Sequence, residues 1–435
     1  MSRTGLLTWL GLLAALTPAG AQAPLGLERA VQLALERNER GRTAQLEGEA
    51  ADARVAKARA FFFPDLTLVG NYTRRAYQTV REVGGEQVII QRRNVLAPRA
   101  TATLTLFDPR ALPLYRQTRR ERDAAKLNAR EDRRLLGFEA ADAFLRTLSA
   151  EQVHEAAHRR LELAEQSLAD ARARFSAQLV GSNDVTRAEL ELATARHQAT
   201  RAQGEQESAY LHLGYLLDTP VAGLLVAPQE LLQIAAQPPG EETPLIEGAL
   251  RSRLDLAASQ RHAEAQAAAA GEPLRRLLPS LNANGQYRMT NEGGLSGRTR
   301  DWSAGMDLSW SIFDRGQLWA DRSEHRALAR IADLAAQAAV RRAALEVRTA
   351  LVALTSQQAA IDQAQVAAQV ARVNAAQTAE LYRQGLTSAL AVADASARLF
   401  EAEVALAREQ YGVALAYLDL RSARGLNPVG EESAP

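Results

Sequence analysis

Residues 381–403, LYRQGLTSALAVADASARLFEAE, have a weaker copy at residues 174–196, RFSAQLVGSNDVTRAELELATAR. Aligned at a constant offset, the two stretches agree in side-chain type at several positions, among them Phe175 with Tyr382, Leu179 with Leu386, Val185 with Val392, and Ala188 with Ala395. A constant offset between similar segments indicates an internal duplication, and such a repeat constrains the fold more than local propensities do.

Other segments recur in the same order in the two halves of the chain. The stretch LTLFDPR at 104–110 returns as LSWSIFDRG at 308–316, and FFFPDL at 61–66 returns as RLLPSL at 276–281. We therefore predict two structural repeats joined by a linker: a first repeat over residues 22–220, a linker over 221–243, a second repeat over 244–427 and a C-terminal tail over 428–435.

The N-terminus is typical of a cleaved secretory leader. Arg3 precedes an apolar run at residues 6–16, and Ala19-Gly20-Ala21 fits a cleavage site, so we predict a signal peptide over residues 1–21. The alternative, a membrane anchor, is disfavoured because the run is too short to span a bilayer. An exported chain without a membrane helix is periplasmic, secreted or an outer-membrane barrel.

The composition favours long helices over a compact enzyme core. Aromatic residues make up only 5% of the chain, while Ala, Leu, Arg, Glu and Gln are abundant. The 52 basic residues nearly balance the 51 acidic ones, which gives no electrostatic case for binding nucleic acid. The chain has no cysteine, so no disulfide framework is expected.

Helical periodicity predicts two very long helices, over residues 110–179 and 316–384. Each contains roughly 70 residues and would span about 105 Å. The shorter predicted helices cover 27–61 and 184–218 in the first repeat, and 244–276 and a return helix ending near 424 in the second. In each half, the lengths of the two shorter helices add up to the length of the long helix. End-to-end stacking of each short pair beside its long helix is therefore expected, with turns at residues 180–184 and 385–391. Asp184 is expected to be the N-cap of its helix.

Alternating segments predict two β-hairpins, over residues 64–107 and 279–313. The last strand, predicted over 302–312, alternates Trp302, Ala304 and Met306 with small or polar residues. Outer-membrane barrels have at least about eight strands. One chain with four strands cannot close such a barrel, so a membrane role requires several copies. The alternative is a soluble hairpin whose apolar face packs on the helices.

These features together resemble the TolC-type outer-membrane efflux family. The resemblance rests on Pro64-Asp65-Leu66, Pro279-Ser280-Leu281, Leu106-Phe107-Asp108, Ile312-Phe313-Asp314 and Tyr382-Arg383-Gln384-Gly385-Leu386 followed by Val392 and Asp394. It implies a mixed α and β fold. Long antiparallel coiled-coil helices form a periplasmic α-barrel in a homotrimer, and each protomer contributes four strands to a transmembrane β-barrel in the outer membrane.

The family resemblance also implies a function and partners. The chain would be a passive exit duct of a tripartite efflux pump or type I secretion system, without cofactor or catalysis. A periplasmic adaptor (membrane fusion) protein and an inner-membrane transporter would open it at its periplasmic tip, and outer-membrane lipid would surround the barrel. The alternative from another class is a periplasmic coiled-coil scaffold or adaptor without a barrel.

The resemblance places the periplasmic gate at the two turns. The family's first acidic position falls on Asp184, and the tyrosine linked to it on Tyr382; a second pair falls on Asn183 and Thr387. Of the two acidic positions of the second turn, only Asp394 is acidic here, because the other is Ala391. The expected adaptor contacts are Leu179, Gly181, Gly385 and Leu386. Gln178 replaces the glycine that the second copy keeps at Gly385.

One motif points to a different chemistry. His154-Glu155-Ala156-Ala157-His158 matches the H-E-x-x-H zinc-hydrolase pattern, in which two histidines bind metal and the glutamate acts as base. The longer metzincin pattern fails because Leu161 replaces its glycine. The motif lies midway along an extended charged helix, so we expect no metal at His154, Glu155 or His158, and no enzyme.

Overall fold

The computed structural model describes residues 24–221 and 223–430. The predicted signal peptide, residues 1–21, and the end of the predicted tail lie outside the described residues. Two helices dominate the architecture: α3, with 66 residues, and α9, with 67. Each is about 100 Å long at the rise of an α-helix. No helix within 24–221 and 223–430 has an apolar stretch long enough to cross a membrane.

Ten α-helices are described in these residues. Their bounds are α1 Leu27–Arg37, α2 Glu39–Ala60, α3 Ala111–Ser176, α4 Ser182–Leu217, α5 Gln229–Ala235, α6 Glu242–Ser252, α7 Leu254–Ala269, α8 Glu272–Arg275, α9 Gln317–Arg383 and α10 Ala389–Ala423. Helices α1, α2 and α4 pack along α3, while α6, α7 and α10 pack along α9; α7 and α10 also contact α3.

The predicted helix over 27–61 is wrong as a continuous element, because it breaks at Asn38. Asn38 has an extended backbone, and its buried side chain makes two hydrogen bonds at the break. Its Oδ1 accepts from the Arg40 amide at 3.0 Å, and its Nδ2 donates to the Leu216 carbonyl oxygen at 3.0 Å. A tertiary contact to α4 therefore stabilises a cap that helix periodicity does not reveal.

The predicted helix over 244–276 is also interrupted. Arg253 is extended between α6 and α7, and its guanidinium contacts Asp255 at 2.7 Å and Glu346 at 2.5 Å. The Glu346 carboxylate lies on α9, so this break too depends on a partner distant in sequence. Residues 272–275 then form the separate short helix α8.

In the part of the chain that the structure describes, eight strands form one four-stranded sheet and two small ribbons. Their bounds are β1 Asp65–Val69, β2 Tyr72–Arg74, β3 Thr79–Val83, β4 Glu86–Gln91, β5 Asn94–Leu96, β6 Arg99–Phe107, β7 Ser280–Met289 and β8 Arg300–Ser309. The large sheet has the antiparallel order β1-β6-β7-β8, and β2 pairs with β5 and β3 with β4. The predicted first hairpin therefore continues into a two-ribbon arm that sequence analysis missed, and the last strand ends at Ser309 instead of residue 312.

The four-stranded sheet has one apolar and one polar face. Cross-strand partners point to the same side, so the register separates the two faces. The apolar face comprises Leu66, Leu68, Ala100, Ala102, Leu104, Leu281, Ala283, Tyr287, Met289, Trp302, Ala304, Met306 and Leu308; the opposite face comprises Asp65, Thr67, Thr101, Thr103, Asn282, Asn284, Gln286, Ser303 and Asp307. Strands β1 and β8 are the edges, and each has one side unpaired in this sheet.

A large hydrophobic cluster lies where α1, α3, α4 and α10 meet, midway along the long helices. Phe144, Leu145, Leu213 and Leu217 are fully buried there, with Tyr411 beside them. Towards the turns, the core narrows to small residues such as Ala164, Ala171 and Ala195. Alanine allows close helix approach, so the two helix pairs form slender coiled hairpins.

Candidate functional site

The turn between α3 and α4, residues 177–181, and the turn between α9 and α10, residues 384–388, form the helical tips of the chain. Residues of both coiled hairpins, including Ala171, Ala188, Tyr382 and Val392, line a common cavity of about 30 Å³. The two regions that sequence analysis assigned to the gate are therefore neighbours in the folded chain.

Both long helices end in the same hydrogen-bond motif. In the first tip, the Leu179 amide donates to the Arg174 carbonyl and the Gln178 amide to the Phe175 carbonyl, both at 2.9 Å. The Leu386 and Gly385 amides make the equivalent bonds in the second tip, at 2.8 and 3.0 Å. This pattern is a Schellman motif, which requires a left-handed residue.

Gln178 occupies that left-handed position with a φ of 59°, where Gly385 has 79°. A side chain in this conformation is strained because its Cβ approaches the following carbonyl oxygen. The backbone of the turn is thus similar with glutamine and with glycine, but the left-handed conformation of Gln178 lowers the stability of the first tip.

Gln178→Gly should remove this strain and stabilise the first tip by about 0.5–1 kcal/mol. The expected observation is slower hydrogen exchange of the Leu179 amide, which closes the motif. Ala177→Gly is the matched control, since Ala177 has a negative φ of −83° and gains nothing from glycine. Equal exchange rates in the Gln178→Gly and native proteins would contradict the strain at this position.

Arg174 joins the two tips, a contact that sequence analysis missed. Its guanidinium donates to the carbonyl oxygens of Tyr382 at 3.0 Å and Arg383 at 3.2 Å. It also lies 4.7 Å from the centroid of the Tyr382 ring. A cation at the C-terminus of a helix stabilises its last carbonyls. In the repeat alignment Arg174 falls on the apolar Leu381. This replacement of an apolar residue by a cation is the sequence feature that could have indicated the contact.

Tyr382 has a buried hydroxyl without a hydrogen-bond partner among the described residues. Burial raises the pKa of this hydroxyl; Arg174 opposes the shift, and Asp184 and Asp170 add to it. The hydroxyl is therefore protonated at neutral pH and available as a donor. The cavity that Tyr382 lines has room for one water molecule. Within this single chain, no direct hydrogen bond joins Tyr382 to Asp184.

Asp184 lies in the first turn of α4, because that helix begins at Ser182 and Gly181 is its N-cap. The expectation that Asp184 is the N-cap is wrong. A carboxylate in the first turn is still favoured by the helix dipole. Asn183 is exposed and Thr387 is half-buried, and no hydrogen bond joins these two residues in the described chain.

Asp394 is exposed on α10 and pairs with Arg398 on the same helix at 3.0 Å. Of the expected adaptor contacts, Leu179 and Leu386 are 74% and 71% exposed at the two apices, and Gly181 and Gly385 lie beside them. Large apolar side chains so exposed at the end of an elongated molecule suggest a surface that another protein covers.

A polar network joins the two coiled hairpins further from the tips. The buried Arg160 on α3 donates to Glu191 at 2.8 Å and Gln198 at 2.6 Å, both on α4, and its guanidinium lies 5.2 Å from the Phe400 ring of α10. Glu403 on α10 contacts Arg159 of α3 at 3.1 Å. These contacts hold α3, α4 and α10 together.

Two of the H-E-x-x-H residues, Glu155 and His158, contact other side chains of α3. Glu155 pairs with Arg159 at 2.8 Å, and His158 contacts Glu162 at 3.2 Å. The rings of His154 and His158 are 6.4 Å apart between centroids. No group of three or more potential metal-ligating side chains occurs within residues 24–221 and 223–430.

Comparisons with known proteins extend over nearly the whole chain. The sequence model of a family described as outer membrane efflux protein matches residues 30–217 and 245–426. Nodulation protein T of Rhizobium leguminosarum bv. trifolii is 24% identical over 398 residues, which cover 88% of this chain and 82% of that protein.

Solved structures share the fold. A membrane protein from Pseudomonas aeruginosa superimposes with a TM-score of 0.78 at 22% identity, covering 92% of this chain and 90% of that one. The Campylobacter jejuni CmeC outer membrane channel gives 0.77 at 19% identity, with coverages of 93% and 87%. The open state of the Neisseria gonorrhoeae MtrE outer membrane channel gives 0.75 at 22% identity, with coverages of 92% and 90%.

Proposed function

The chain belongs to the outer membrane efflux protein family and is an outer-membrane exit duct of efflux pumps; from this premise we propose how it is assembled, gated and connected. The duct is a passive conduit in a tripartite efflux pump or a type I secretion system. Its helical tunnel lies in the periplasm, and its sheet lies in the outer membrane.

The four-stranded sheet is the observation that carries this proposal. It has an apolar face exposed in the single chain and two edges that lack partners. In a bilayer every backbone group must be paired, so the edge β8 of one copy must meet the edge β1 of the next until the ring closes. Three copies give a 12-stranded barrel, and the family favours this homotrimer. The polar face then lines the lumen.

The long helices extend this barrel into a tunnel. The linker over residues 221–243 separates the two repeats, whose helices stack into coiled hairpins of equal length. The tips point away from the membrane, so Leu179, Gly181, Gly385 and Leu386 contact the periplasmic adaptor. The inner-membrane transporter supplies the energy for export. A periplasmic scaffold without a barrel leaves the exposed apolar face of the sheet unexplained.

The gate consists of the two tips. In the resting duct, Tyr382 donates to Asp184 directly or through the water that fits beside it, and Arg174 fixes the end of α9. Asn183 and Thr387 face each other across neighbouring copies. Asp394 of each copy adds a negative charge, so the copies together form one ring of acidic side chains in the second tip. A second acidic ring is missing because position 391 is alanine.

Tyr382→Phe, Asp184→Ala and Asp394→Ala should each raise the single-channel conductance several-fold in planar bilayers, because each removes a polar contact or a charge at the constriction. Glu401→Gln, seven residues beyond Asp394 on α10, is the matched control and should conduct like the native protein. Native conductance in all three variants would rule out this gate. A protein that stays soluble without detergent and forms no channels would instead support the periplasmic scaffold.

A further inference from the structure

The end of the sheet that is remote from the helices carries a concentrated positive charge. Residues 70–99 and 285–301, which form this end, contain nine arginines and no lysine, against four acidic residues, in a chain whose net charge is only +1. Within the described residues, one of these arginines, Arg75, forms a salt bridge, with Glu292 at 2.5 Å. The others are Arg74, Arg81, Arg92, Arg93, Arg99, Arg288, Arg298 and Arg300.

Arg300 differs from most of these arginines because it lies on the apolar face of the sheet. It is opposite Met289 at the start of β8, and the next pair on the same face is Trp302 with Tyr287. The side chains of Arg300, Trp302 and Tyr287 are all exposed in the single chain. The apolar face therefore ends in an aromatic pair, with a cation immediately beyond it.

The dimensions of this face match a bilayer. Trp310 lies eight positions after Trp302, beyond the other end of β8, so the two indoles are about 27 Å apart along the strand and about 20 Å apart across the bilayer once the tilt of barrel strands is included. The apolar band of outer-membrane barrels is about 25 Å tall and is bordered by aromatic residues at both interfaces. Arg300 lies about 7 Å beyond Trp302, at the level of the lipid headgroups.

Arg99 and Arg288 lie at the same end of the sheet on the opposite face. They are paired with each other across β6 and β7, and Arg288 is opposite Asp301. With the polar face inside the barrel, these two arginines point into the lumen. They have the same chemistry and nearly the same height as Arg300, but no access to lipid.

We propose that Arg300, beside Tyr287 and Trp302, binds the phosphate group of a lipid in the outer leaflet of the outer membrane. This inference rests on the proposed function, because it requires the apolar face to contact lipid. A guanidinium matches phosphate geometry and binds it through two parallel hydrogen bonds. The adjacent indole and phenol rings suit the boundary between acyl chains and headgroups. A neutral headgroup would leave the Arg300 charge unpaired at this boundary.

The test compares Arg300→Gln with the matched control Arg99→Gln. Each protein is purified in detergent and titrated with bisphosphorylated lipid A or with the same lipid after phosphatase treatment, and bound lipid is counted by native mass spectrometry. The native protein and Arg99→Gln should bind the phosphorylated lipid about tenfold more tightly than Arg300→Gln does, the difference of one charge-assisted contact. All three proteins should bind the dephosphorylated lipid equally weakly.

Three results would overturn the proposal: equal loss of lipid in both variants, equal binding in all three proteins, or displacement of the lipid by excess inorganic phosphate. Equal loss in both variants would mean that the overall positive charge binds the lipid. Equal binding in all three proteins would mean that Arg300 does not contact the lipid. Displacement by inorganic phosphate would mean that the site binds free phosphate. Conductance separates this inference from the proposed function. Native protein that conducts without preferring phosphorylated lipid refutes the lipid site alone, whereas protein that neither inserts nor conducts refutes both.

Discussion

Arg160→Ala should lower the free energy of unfolding by about 3–5 kcal/mol per subunit. Arg160 is 6% exposed, and its guanidinium bonds to Glu191 and Gln198 of α4 while stacking on Phe400 of α10. Removing it leaves Glu191 as a charge without its partner in a largely buried position, which is more costly than the loss of the ion pair itself. Guanidinium unfolding followed by helical circular dichroism would measure the change.

Arg159→Ala is the matched control for this prediction. Arg159 is the preceding residue and forms two ion pairs, but its side chain is 47% exposed. Exposed pairs contribute about 1 kcal/mol or less, so Arg159→Ala should have a small effect. Replacing both partners, as Arg160→Met with Glu191→Leu, should recover most of the lost stability, since no buried charge remains unpaired. Equal losses in the two alanine variants would contradict the importance of burial.

Met306→Arg should destabilise the membrane-inserted protein by about 2–4 kcal/mol per subunit, with the effect repeated in every copy of the ring. Met306 is 72% exposed on the apolar face of β8, near the middle of that strand. Arginine there would lie in the hydrocarbon core, where its charge has neither water nor a counterion. The measurement is the fraction of protein that folds into lipid vesicles as a protease-resistant barrel.

Ser303→Arg controls for the added charge. Ser303 is on the same strand but on the polar face, opposite Gln286, so its replacement would enter the water-filled lumen. We expect insertion close to that of the native protein, with a change in ion selectivity. If Ser303→Arg were excluded from vesicles and Met306→Arg inserted normally, the two faces of the sheet would have to be exchanged.

The spacing of apolar residues along the sequence predicts the main helices and strands because it reflects the local geometry of the backbone. Heptad spacing predicts α3 and α9, and alternation predicts β8, since these patterns follow from 3.6 residues per turn and from the pleat of a strand. The breaks at Asn38 and Arg253 were not predicted. Each depends on a partner distant in sequence, the Leu216 carbonyl oxygen and the Glu346 carboxylate, and local periodicity contains no information about such partners.

At the two tips, the sequence pointed to some of the residues that the fold brings together and missed others. The repeat alignment and the family resemblance bring attention to Tyr382 and Asp184, and the fold places their tips side by side. Arg174 was not predicted, because the carbonyl oxygens that it binds belong to the other repeat. Contacts between copies at Asn183, Thr387 and Asp394 stay predictions, and the conductance of Asp394→Ala tests the last of them.

The two unpaired edges of the sheet have a genetic consequence. A single chain leaves one side of β1 and one side of β8 unpaired in its sheet; in the proposed ring, insertion and assembly would therefore occur together, and each copy would depend on both neighbours. One subunit with a defective edge would trap its sound partners in an open ring. Mutations that spoil β1 or β8 should therefore be dominant over the intact allele, whereas mutations that prevent synthesis of the chain should be recessive.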